Sequence, residues 1–177
     1  MAVVAGMADV VTRVRALVGD PAGADQVFST EEVQDALNRR RTVVLYLSLE
    51  PVPTISSSGT TSYLQYVAPW GDWQSPVMLQ DGSYATLTPS AADLATGTWD
   101  FATHQPGPVF ITGYRHDCHG AAADLADAWS AKLKLEVDYD NAGLSNTWMH
   151  KAAGLRALAD RLRQQAETGS SRMVPGP

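Results

Sequence analysis

The sequence contains little cysteine, little charge and no long hydrophobic run. Cys118 is the single cysteine of the 177 residues, so no intrachain disulfide can form, which is typical of a protein that folds in a reducing cytoplasm. Lys and Arg number 13 against 19 Asp and Glu, a net charge of −6, so bulk electrostatics does not attract nucleic acid. No apolar run approaches the roughly 18 residues of a membrane helix, and residues 1–18 lack the basic start of a signal peptide. We therefore expect a chain made in the cytoplasm, with no membrane partner.

The chain contains enough hydrophobic residues to form a core. Hydrophobic residues make up 45% of it, over a length that fits one domain with an elaboration. The N-terminal part predicts a short helix, because apolar residues recur at helical spacing before a Gly-Asp-Pro stop at residues 19–21. The apolar positions of this helix are Val10, Val11, Val14, Leu17 and Val18.

A second helix is predicted to begin after Phe28. Ser29 is its expected N-cap and Glu32, three residues later, completes a capping box, while Phe28 and Val33 form a hydrophobic staple. We expect this helix to end before the prolines of residues 51–53, which cannot continue it. The residues expected along one side of this helix are Val33, Leu37, Val44 and Leu47, with Arg40 and Arg41 between them.

Residues 54–114 lose almost all charge and gain Thr, Ser, Gly, Pro, Trp and Tyr, which is typical of short strands. Asp81-Gly82 favours a two-residue type I′ hairpin turn, because both central positions of that turn need a positive φ. Since an isolated hairpin is marginal, several strands must pack together around aromatic filler. The predicted strands are residues 63–67, 77–80, 85–88, 98–101 and 109–114, and the expected filler is Trp70, Trp73, Trp99 and Phe101.

Helical periodicity returns after Asp117 and continues, with a break at residues 139–143, into a last helix. The fold class that we predict is α+β, mainly a helical bundle of about four helices with an inserted small antiparallel β subdomain. Its parts are N-terminal helices at 1–50, the β subdomain at 54–115, C-terminal helices at 117–167 and an extended Gly/Ser/Pro-rich tail at 168–177. The expected bundle core is Val33, Leu37, Leu125, Trp129, Leu133, Trp148, Leu155 and Leu162.

His116, Cys118 and His119 form the one cluster that resembles a reaction centre. A structural zinc site needs four ligands, usually in two spaced pairs, and no second pair is present because the other two histidines are isolated. Neighbouring positions in one turn do not align a thiol with an imidazole for nucleophilic catalysis either. We interpret the segment as a strand-to-helix junction capped by Asp117 or a nearby polar side chain. We expect no catalytic residue, no metal and no cofactor.

Two carboxylate pairs and one arginine run are also explained by surface chemistry. Asp124 and Asp127 fall on an alanine-rich helix near its start, where carboxylates favour the helix dipole. Asp138 and Asp140 fall in a turn that lacks the full ligand spacing of a calcium loop. The arginine run at residues 39–41 can meet phosphates. We expect its members instead to be split around the helix, some solvated and some paired with acidic residues of a neighbour.

Several motifs follow one another along the chain in a fixed order. They are VRALVGDP at 14–21, FSTEEVQDAL at 28–37, AAADLADAWSAKL at 121–133, a Val-Asp-Tyr turn at 137–139 and an Ala/Leu/Arg-rich helix at 151–165, with shorter motifs at 77–82 and 98–101. In this order they resemble the head–tail connector (adaptor) proteins of long-tailed bacteriophages. The resemblance touches most of the chain.

The resemblance implies a structural virion protein of the capsid–tail junction that is made in the host cytoplasm and is not an enzyme. Its copies would form a ring, a dodecamer, below the portal protein, extending the DNA channel and meeting a stopper or tail-completion protein. Double-stranded DNA would pass through without sequence-specific binding. The resemblance also implies that the C-terminal tail contacts the portal. The tail residues concerned are Thr168, Arg172, Met173, Val174 and Pro175.

A ring closes through head-to-tail interfaces, so each subunit needs two different complementary patches. Such interfaces are often anchored by Trp, Tyr and Arg, and the chain has 5 Trp and 6 Tyr. Three alternatives stay open. A stopper or tail-completion protein of the phage neck would differ in its binding to purified portal. A nucleic-acid-binding module would use residues 39–41 and show steeply salt-dependent DNA affinity. An enzyme would act through residues 116–119 and depend on Cys118 or on a metal.

Overall fold

The computed structural model describes residue 4 and residues 6–137 and 145–170, which fall into two compact units. The helical unit comprises the described residues up to Arg40 and from Asp117 onwards, and the β unit is the continuous segment Arg41–His116. The backbone N–H of Asp117 donates to the carbonyl of Arg40 (3.2 Å). Arg41 pairs with His116 across two antiparallel strands. Each unit therefore holds its two connecting ends side by side.

The described part of the helical unit forms four helices. They are α1 (Ala8–Val18), α2 (Thr30–Arg39), α3 (Cys118–Val137) and α4 (Ser145–Ser170). α1 ends at Gly19, which adopts a left-handed φ of 74° that glycine takes without strain. At the start of α2, the N–H of Glu32 donates to Ser29 Oγ, and the N–H of Ser29 donates to the Glu32 carboxylate. The predicted stop of α1 and the predicted capping box of α2 are confirmed.

α3 is the central helix of this unit, since it packs against α1, α2 and α4. Its first half is rich in alanine, whose small side chains let neighbouring helices approach closely. The fully buried alanines are Ala121, Ala122, Ala123 and Ala126. Branched and aromatic side chains fill the rest of the same cluster, among them Val14, Phe28, Val33, Leu37, Leu125 and Leu162. Farther along α3, the buried hydroxyl of Ser130 donates to the carbonyl of Ala152 on α4 (3.0 Å).

A buried ion pair fixes the connection between α1 and α2. Arg15 and Asp20 are 4% and 3% exposed, and Nη1 of Arg15 lies 3.0 Å from Oδ2 of Asp20. Nη2 of Arg15 also donates to the carbonyl of Phe28, and Asp20 accepts from the N–H groups of Val27 and Phe28. Because buried charges are tolerated only when they are paired and hydrogen-bonded, this network holds the connection in one conformation.

The β unit is described throughout, and its eight strands form two antiparallel sheets. The strands are β1 (Arg41–Ser48), β2 (Glu50–Ile55), β3 (Thr61–Val67), β4 (Trp73–Gln80), β5 (Thr86–Leu87), β6 (Ala91–Asp93), β7 (Thr98–Asp100) and β8 (Phe110–His116). Sheet A has the order β1-β8-β4-β5 and sheet B the order β2-β3-β7-β6. The chain passes from sheet A to sheet B at the buried Leu49, whose N–H donates to the carbonyl of Val109 (2.8 Å).

The two sheets pack face to face around one aromatic core. Trp73 of sheet A meets Trp99 of sheet B edge to face, with ring centroids 5.9 Å apart. Tyr66 and Phe101 form a second edge-to-face pair at 5.7 Å, a geometry that aromatic rings prefer. Trp73, Trp99 and Phe101 were predicted as filler and are buried, whereas Trp70 is half-buried.

The prediction that the second helix continues to Leu47 is wrong. α2 ends at Arg39, and the residues that follow form β1, which pairs antiparallel with β8. The sequence RTVVLYLS is rich in β-branched and aromatic residues, which favour strands. Val44 and Leu47 are spaced as in a helix, yet both pack against the core of the β unit, because a bulge between them shifts the strand register. Pro51 and Pro53 lie in β2, an edge strand of sheet B, where proline is tolerated.

The predicted fold class, a mainly helical bundle with a small inserted sheet, is therefore also wrong. The described residues form four helices and two four-stranded antiparallel sheets, and the β unit is an eight-stranded sandwich rather than a minor insertion. Each of the five predicted strands overlaps an observed one. Strands β1, β2 and β6 were not predicted, and they supply one edge of sheet A and both edges of sheet B.

The predicted hairpin between β4 and β5 is present, but its turn is not a two-residue type I′ turn. Gln80 pairs with Thr86, so a five-residue loop connects the strands. Oδ1 of Asp81 accepts from the N–H and the hydroxyl of Ser83 (2.8 and 2.7 Å) and from the N–H of Ala85 (3.0 Å). These side-chain bonds close a wider loop than the Asp-Gly pair predicts.

Candidate functional site

The segment that most resembles a reaction centre is the start of a helix. β8 ends at His116 and α3 begins at Cys118. Asp117 lies between them, and its Oδ1 accepts from the N–H of Gly120 (2.8 Å). This is the N-cap bond that the sequence predicts, so the interpretation as a capped junction is confirmed. A Cβ at position 120 would overlap this carboxylate, so a larger residue there would displace the cap.

His116, His104 and Cys118 lie in three separate environments. His116 is fully buried, with Nε2 3.0 Å from Oε1 of Gln74. Nδ1 of His104 accepts from the N–H of Tyr63 (2.9 Å), and Cys118 is buried in the helical core. Within the described residues, no group of three or more His, Cys, Asp and Glu side chains is placed to hold a metal ion.

The carboxylates of α3 pair with arginines. Oδ1 and Oδ2 of Asp124 accept from Nη2 and Nε of Arg40 (2.9 and 3.0 Å), and Asp127 accepts from Arg163 of α4. The hydrogen bonds that Arg40 donates to Asp124 raise the pKa of Arg40, and the bond that Arg163 donates to Asp127 raises the pKa of Arg163. Asp124 and Asp127 thus tie α3 to two other parts of the unit. Asp138 and Asp140 lie outside the described residues.

The arginine run does not form one surface. Arg39 is the last residue of α2 and is exposed, whereas Arg40 pairs with Asp124 of the same chain rather than with a neighbour. Arg41 is the first residue of β1, and its guanidinium lies 4.6 Å from the centre of the Tyr114 ring, a favourable cation–π distance. The run therefore spans a helix end, a cap and a strand start.

The residues predicted for the bundle core lie in the helical unit, in two buried clusters. Val33, Leu37, Leu125 and Leu162 belong to the cluster around α3, and Leu133 and Leu155 to a second cluster between α3 and α4. Trp129 is half-buried and packs against both clusters. Trp148 is half-buried too, and Nζ of Lys151 lies 5.3 Å from the Trp129 ring and 5.6 Å from the Trp148 ring.

The predicted portal-contacting tail is described only at its start. Thr168 lies in the last turn of α4, which extends to Ser170, so this part of the expected tail is helical. Arg172, Met173, Val174 and Pro175 lie outside the described residues.

A feature that the sequence analysis missed is the outward side of sheet A. Of the nine exposed large hydrophobic residues in the described part of the chain, six are in this sheet or its β4–β5 loop, and they are 40% to 67% exposed. We call them the apolar face. Its members are Val43, Leu45, Tyr46, Met78, Tyr84 and Tyr114. Val43 lies directly opposite Tyr114, and the other side of the sheet buries Leu79 and Ile111. Exposed apolar patches of this kind mark interaction sites.

An aromatic pair with an unusual backbone lies on the apolar face. The rings of Tyr46 and Tyr84 meet edge to face, with centroids 5.8 Å apart. Both residues have a left-handed backbone, with φ of 50° and 66°, which costs a non-glycine residue about 1–2 kcal/mol. Tyr46 lies in the bulge of β1, and its N–H donates to Thr112 Oγ1 (3.1 Å). The Asp81 loop holds Tyr84, since Gln80 Nε2 donates to its carbonyl (3.0 Å).

The edges of the two sheets are protected unequally. β5 and β6 are two and three residues long, and β2 contains Pro51 and Pro53, which lack an N–H to offer another strand. Short strands and prolines are common protections of exposed edges. β1 is an eight-residue edge strand without proline, and its bulge directs Leu45 and Tyr46 outwards. The apolar face therefore extends to the longest edge strand of the two sheets.

Comparisons of the chain with models of known protein families, with curated proteins and with solved structures return no match. Among the described residues, no helix is both long enough and apolar enough to cross a membrane.

Proposed function

We propose that this protein is a structural subunit of a tailed-phage head–tail junction. It is an adaptor whose copies form a ring, a dodecamer, below the portal protein. The ring extends the DNA channel and links the capsid to the tail through a stopper or tail-completion protein. The observation that carries the proposal is the order in which the adaptor-like motifs occur along the chain.

Three of these motifs form central parts of the helical unit. The motif at 14–21 contains the glycine that ends α1 and both partners of the buried Arg15–Asp20 pair. The motif at 28–37 forms the capped α2, and the motif at 121–133 forms the central helix α3. A resemblance built from common residues gains weight when those residues have structural roles. This relation supports the proposal without depending on any single motif.

The engaged charges are compatible with a channel through which DNA slides. Arg40 is held by Asp124, and Arg41 by the Tyr114 ring. With a net charge of −6, such a subunit is not attracted to DNA as a whole, and tight phosphate contacts would slow the passage of DNA. Of the side chains first considered as catalytic candidates, Cys118 is buried in the helical core and His116 is buried against Gln74, while Asp117 between them caps α3. We propose no enzymatic activity.

The test is binding to the purified portal protein encoded beside this chain. An adaptor binds the bare portal ring, whereas a stopper or tail-completion protein binds only a portal that already carries an adaptor. We expect co-sedimentation of this chain with bare portal at a saturating ratio of one chain per portal subunit. Binding that requires an added adaptor would assign the chain to the stopper class. Absence of binding in both formats would refute a role in the neck.

The expected portal contact is tested by a chain that ends after residue 170. Because every described helix and strand is retained, this truncation should keep the melting temperature of the full chain and lose portal affinity at least tenfold. Alanine at Arg172, which lies within the removed segment, is the milder variant. Equal portal affinity of the truncated and full chains would contradict a role of the tail.

A further inference from the structure

We infer that the apolar face is the surface by which one copy of this chain binds the next copy, with the Tyr46–Tyr84 pair as its anchor. The inference rests on the proposed function, since a ring requires contacts between copies. It deepens that proposal by naming one of the two patches that each subunit must present. The contact consists of side-chain packing on the face, because the bulge of β1 interrupts regular strand pairing at this edge.

The single chain fixes the backbones of Tyr46 and Tyr84 but leaves both side chains exposed. Tyr46 is 53% and Tyr84 67% exposed, so burial in this chain does not offset their left-handed backbones. Glycine or asparagine adopts such a backbone more readily than tyrosine. Strained residues of this kind cluster at functional sites, and tyrosine is among the residues that anchor protein interfaces.

The composition and size of the face favour a second copy over a different partner. None of its six members is charged, and Arg41 lies at its margin over the Tyr114 ring. Contacts between identical subunits are more apolar than those between separately stable proteins. The three tyrosines alone expose about 300 Å², given about 200 Å² for a whole aromatic side chain. With Val43, Leu45 and Met78 added, the face can form the apolar centre of an interface that needs about 800 Å² from each partner.

A ring requires that the face meets a different surface of the next copy. If the face met itself, the contact would close as a two-fold dimer and could not continue around a ring. The geometry of the contact can therefore be read from the oligomer that forms. The single native cysteine, Cys118, is buried, so a cysteine introduced on the face reports on this contact alone.

The main experiment compares two aspartate substitutions at equally exposed aliphatic positions. Leu45→Asp places a charge on the face, where the side chain is 67% exposed, and Ile55→Asp places the same charge on β2 of sheet B, where it is 71% exposed. Mass photometry of the purified full-length chains, alone and with portal, gives the number of copies per particle. We expect wild type and Ile55→Asp to form the ring, and Leu45→Asp to require at least tenfold more protein for assembly.

A second variant separates loss of the contact from loss of the fold. Tyr84→Asn removes the ring and supplies a residue that tolerates the left-handed backbone. We expect a melting temperature equal to or above that of wild type, together with assembly weakened at least tenfold. A purely structural role for the tyrosine would lower the melting temperature and leave assembly of the folded protein unchanged, and this result would overturn the inference.

Leu45→Cys distinguishes the two possible symmetries. In a head-to-tail ring, oxidised Leu45→Cys yields no disulfide-linked dimer, because Leu45 of one copy faces a different surface of the next. Efficient formation of a disulfide-linked dimer would mean that residue 45 of one copy lies close to residue 45 of the next, because a disulfide requires the two Cα atoms to be within roughly 7 Å of each other. That result would replace the ring contact by a two-fold dimer and overturn the inference.

The remaining outcomes separate this inference from the proposed function. If the wild type assembles but does not bind portal, the inference stands and the adaptor role is refuted. If Leu45→Asp assembles normally but fails to bind portal, the apolar face is a portal contact. The adaptor role then stands, and the inference is overturned. Wild type that stays monomeric both alone and on the portal also overturns it.

Discussion

The buried carboxylate of Asp20 accepts hydrogen bonds from three donors, and its burial keeps water from replacing them. It pairs with Arg15, and it accepts from the N–H groups of Val27 and Phe28. We predict that Asp20→Ala lowers the free energy of unfolding by about 3–5 kcal/mol, because it leaves the buried Arg15 charge unpaired. Urea denaturation measures this loss.

The matched control is Asp25→Ala in the same connection. Asp25 is exposed, so its removal should change the free energy of unfolding by less than about 0.5 kcal/mol. Equal effects of the two substitutions would contradict the role given to the Arg15–Asp20 pair.

The Asp81 carboxylate is the other residue whose bonds define a loop. Hydrogen bonds from the Ser83 hydroxyl, then from the N–H groups of Ala85 and Ser83, hold its pKa below its ordinary value. We predict that Ser83→Ala moves the Asp81 pKa upwards, since the hydroxyl contributes most. An NMR titration of the side-chain carboxyl carbon measures the shift, and an unchanged titration would contradict this assignment.

The lowered pKa of Asp81 also sets the direction of a pH effect. A carboxyl group whose pKa is lower in the folded chain than in the unfolded chain stabilises the fold fully above its unfolded value. That contribution is lost as the pH falls through the lowered folded value. We therefore expect the loop that carries Tyr84 to loosen only in acid, visible as faster exchange of the Ala85 amide hydrogen.

At the scale of the elements, local signals could be predicted and long-range pairing could not. The stop after α1, the Ser29 capping box and the Asp117 cap depend on residues within a few positions of each other. β1 depends on β8, about 70 residues away in the chain. Val44 and Leu47 are three positions apart, a spacing typical of a helix, and the bulge of β1 lets both pack against the core of the β unit. The periodicity therefore predicted the wrong element.

The apolar face was missed for the same reason. Val43 and Leu45 could be read as apolar from the sequence, but their exposure follows from the register of β1 on β8 and from the bulge. A one-residue shift of register would turn these side chains to the other side of the sheet. The Tyr46–Tyr84 contact further depends on the five-residue loop that replaces the predicted type I′ turn.

Gly97 links the loops beside sheet B. It has a left-handed φ of 76°, and its N–H donates to Asp93 while its carbonyl accepts from Ala68. A Cβ at this position would overlap the carbonyl oxygen of Trp70. We predict that Gly97→Ala destabilises the β unit by about 2–5 kcal/mol, the sum of a left-handed alanine and an overpacked contact.

Gly59→Ala is the control for this substitution. Gly59 has nearly the same φ, 78°, but no atom lies within 4 Å of the position that an alanine Cβ would take there. Gly59→Ala should lower the free energy of unfolding only by the cost of a left-handed alanine backbone, about 1–2 kcal/mol. Thermal unfolding followed by tryptophan fluorescence compares the two, and equal losses would show that the contact with Trp70 contributes nothing.

At the scale of the whole molecule, the two units have separate cores and adjacent connecting ends. The helical unit joins Arg40 to Asp117 through a backbone hydrogen bond of 3.2 Å. We predict that a chain lacking residues 41–116, with a short glycine linker in their place, folds as a cooperative helical domain. Circular dichroism and a thermal melt measure this outcome.

Failure of the shortened chain to melt cooperatively would mean that the helical unit needs the β unit to fold. If the shortened chain does fold, it lacks the apolar face, so it should remain monomeric under conditions in which we expect the full chain to assemble. Both outcomes can be read from one preparation, by melting and by mass photometry.

The central claim is that copies of this chain form a ring on the portal. Electron cryomicroscopy of the full chain mixed with its purified portal tests this most directly. We predict a closed ring below the portal, with a central channel and with the Tyr46–Tyr84 pair of each copy buried against the next. A portal that carries no added ring, or a ring whose subunits leave this pair exposed, would contradict the account.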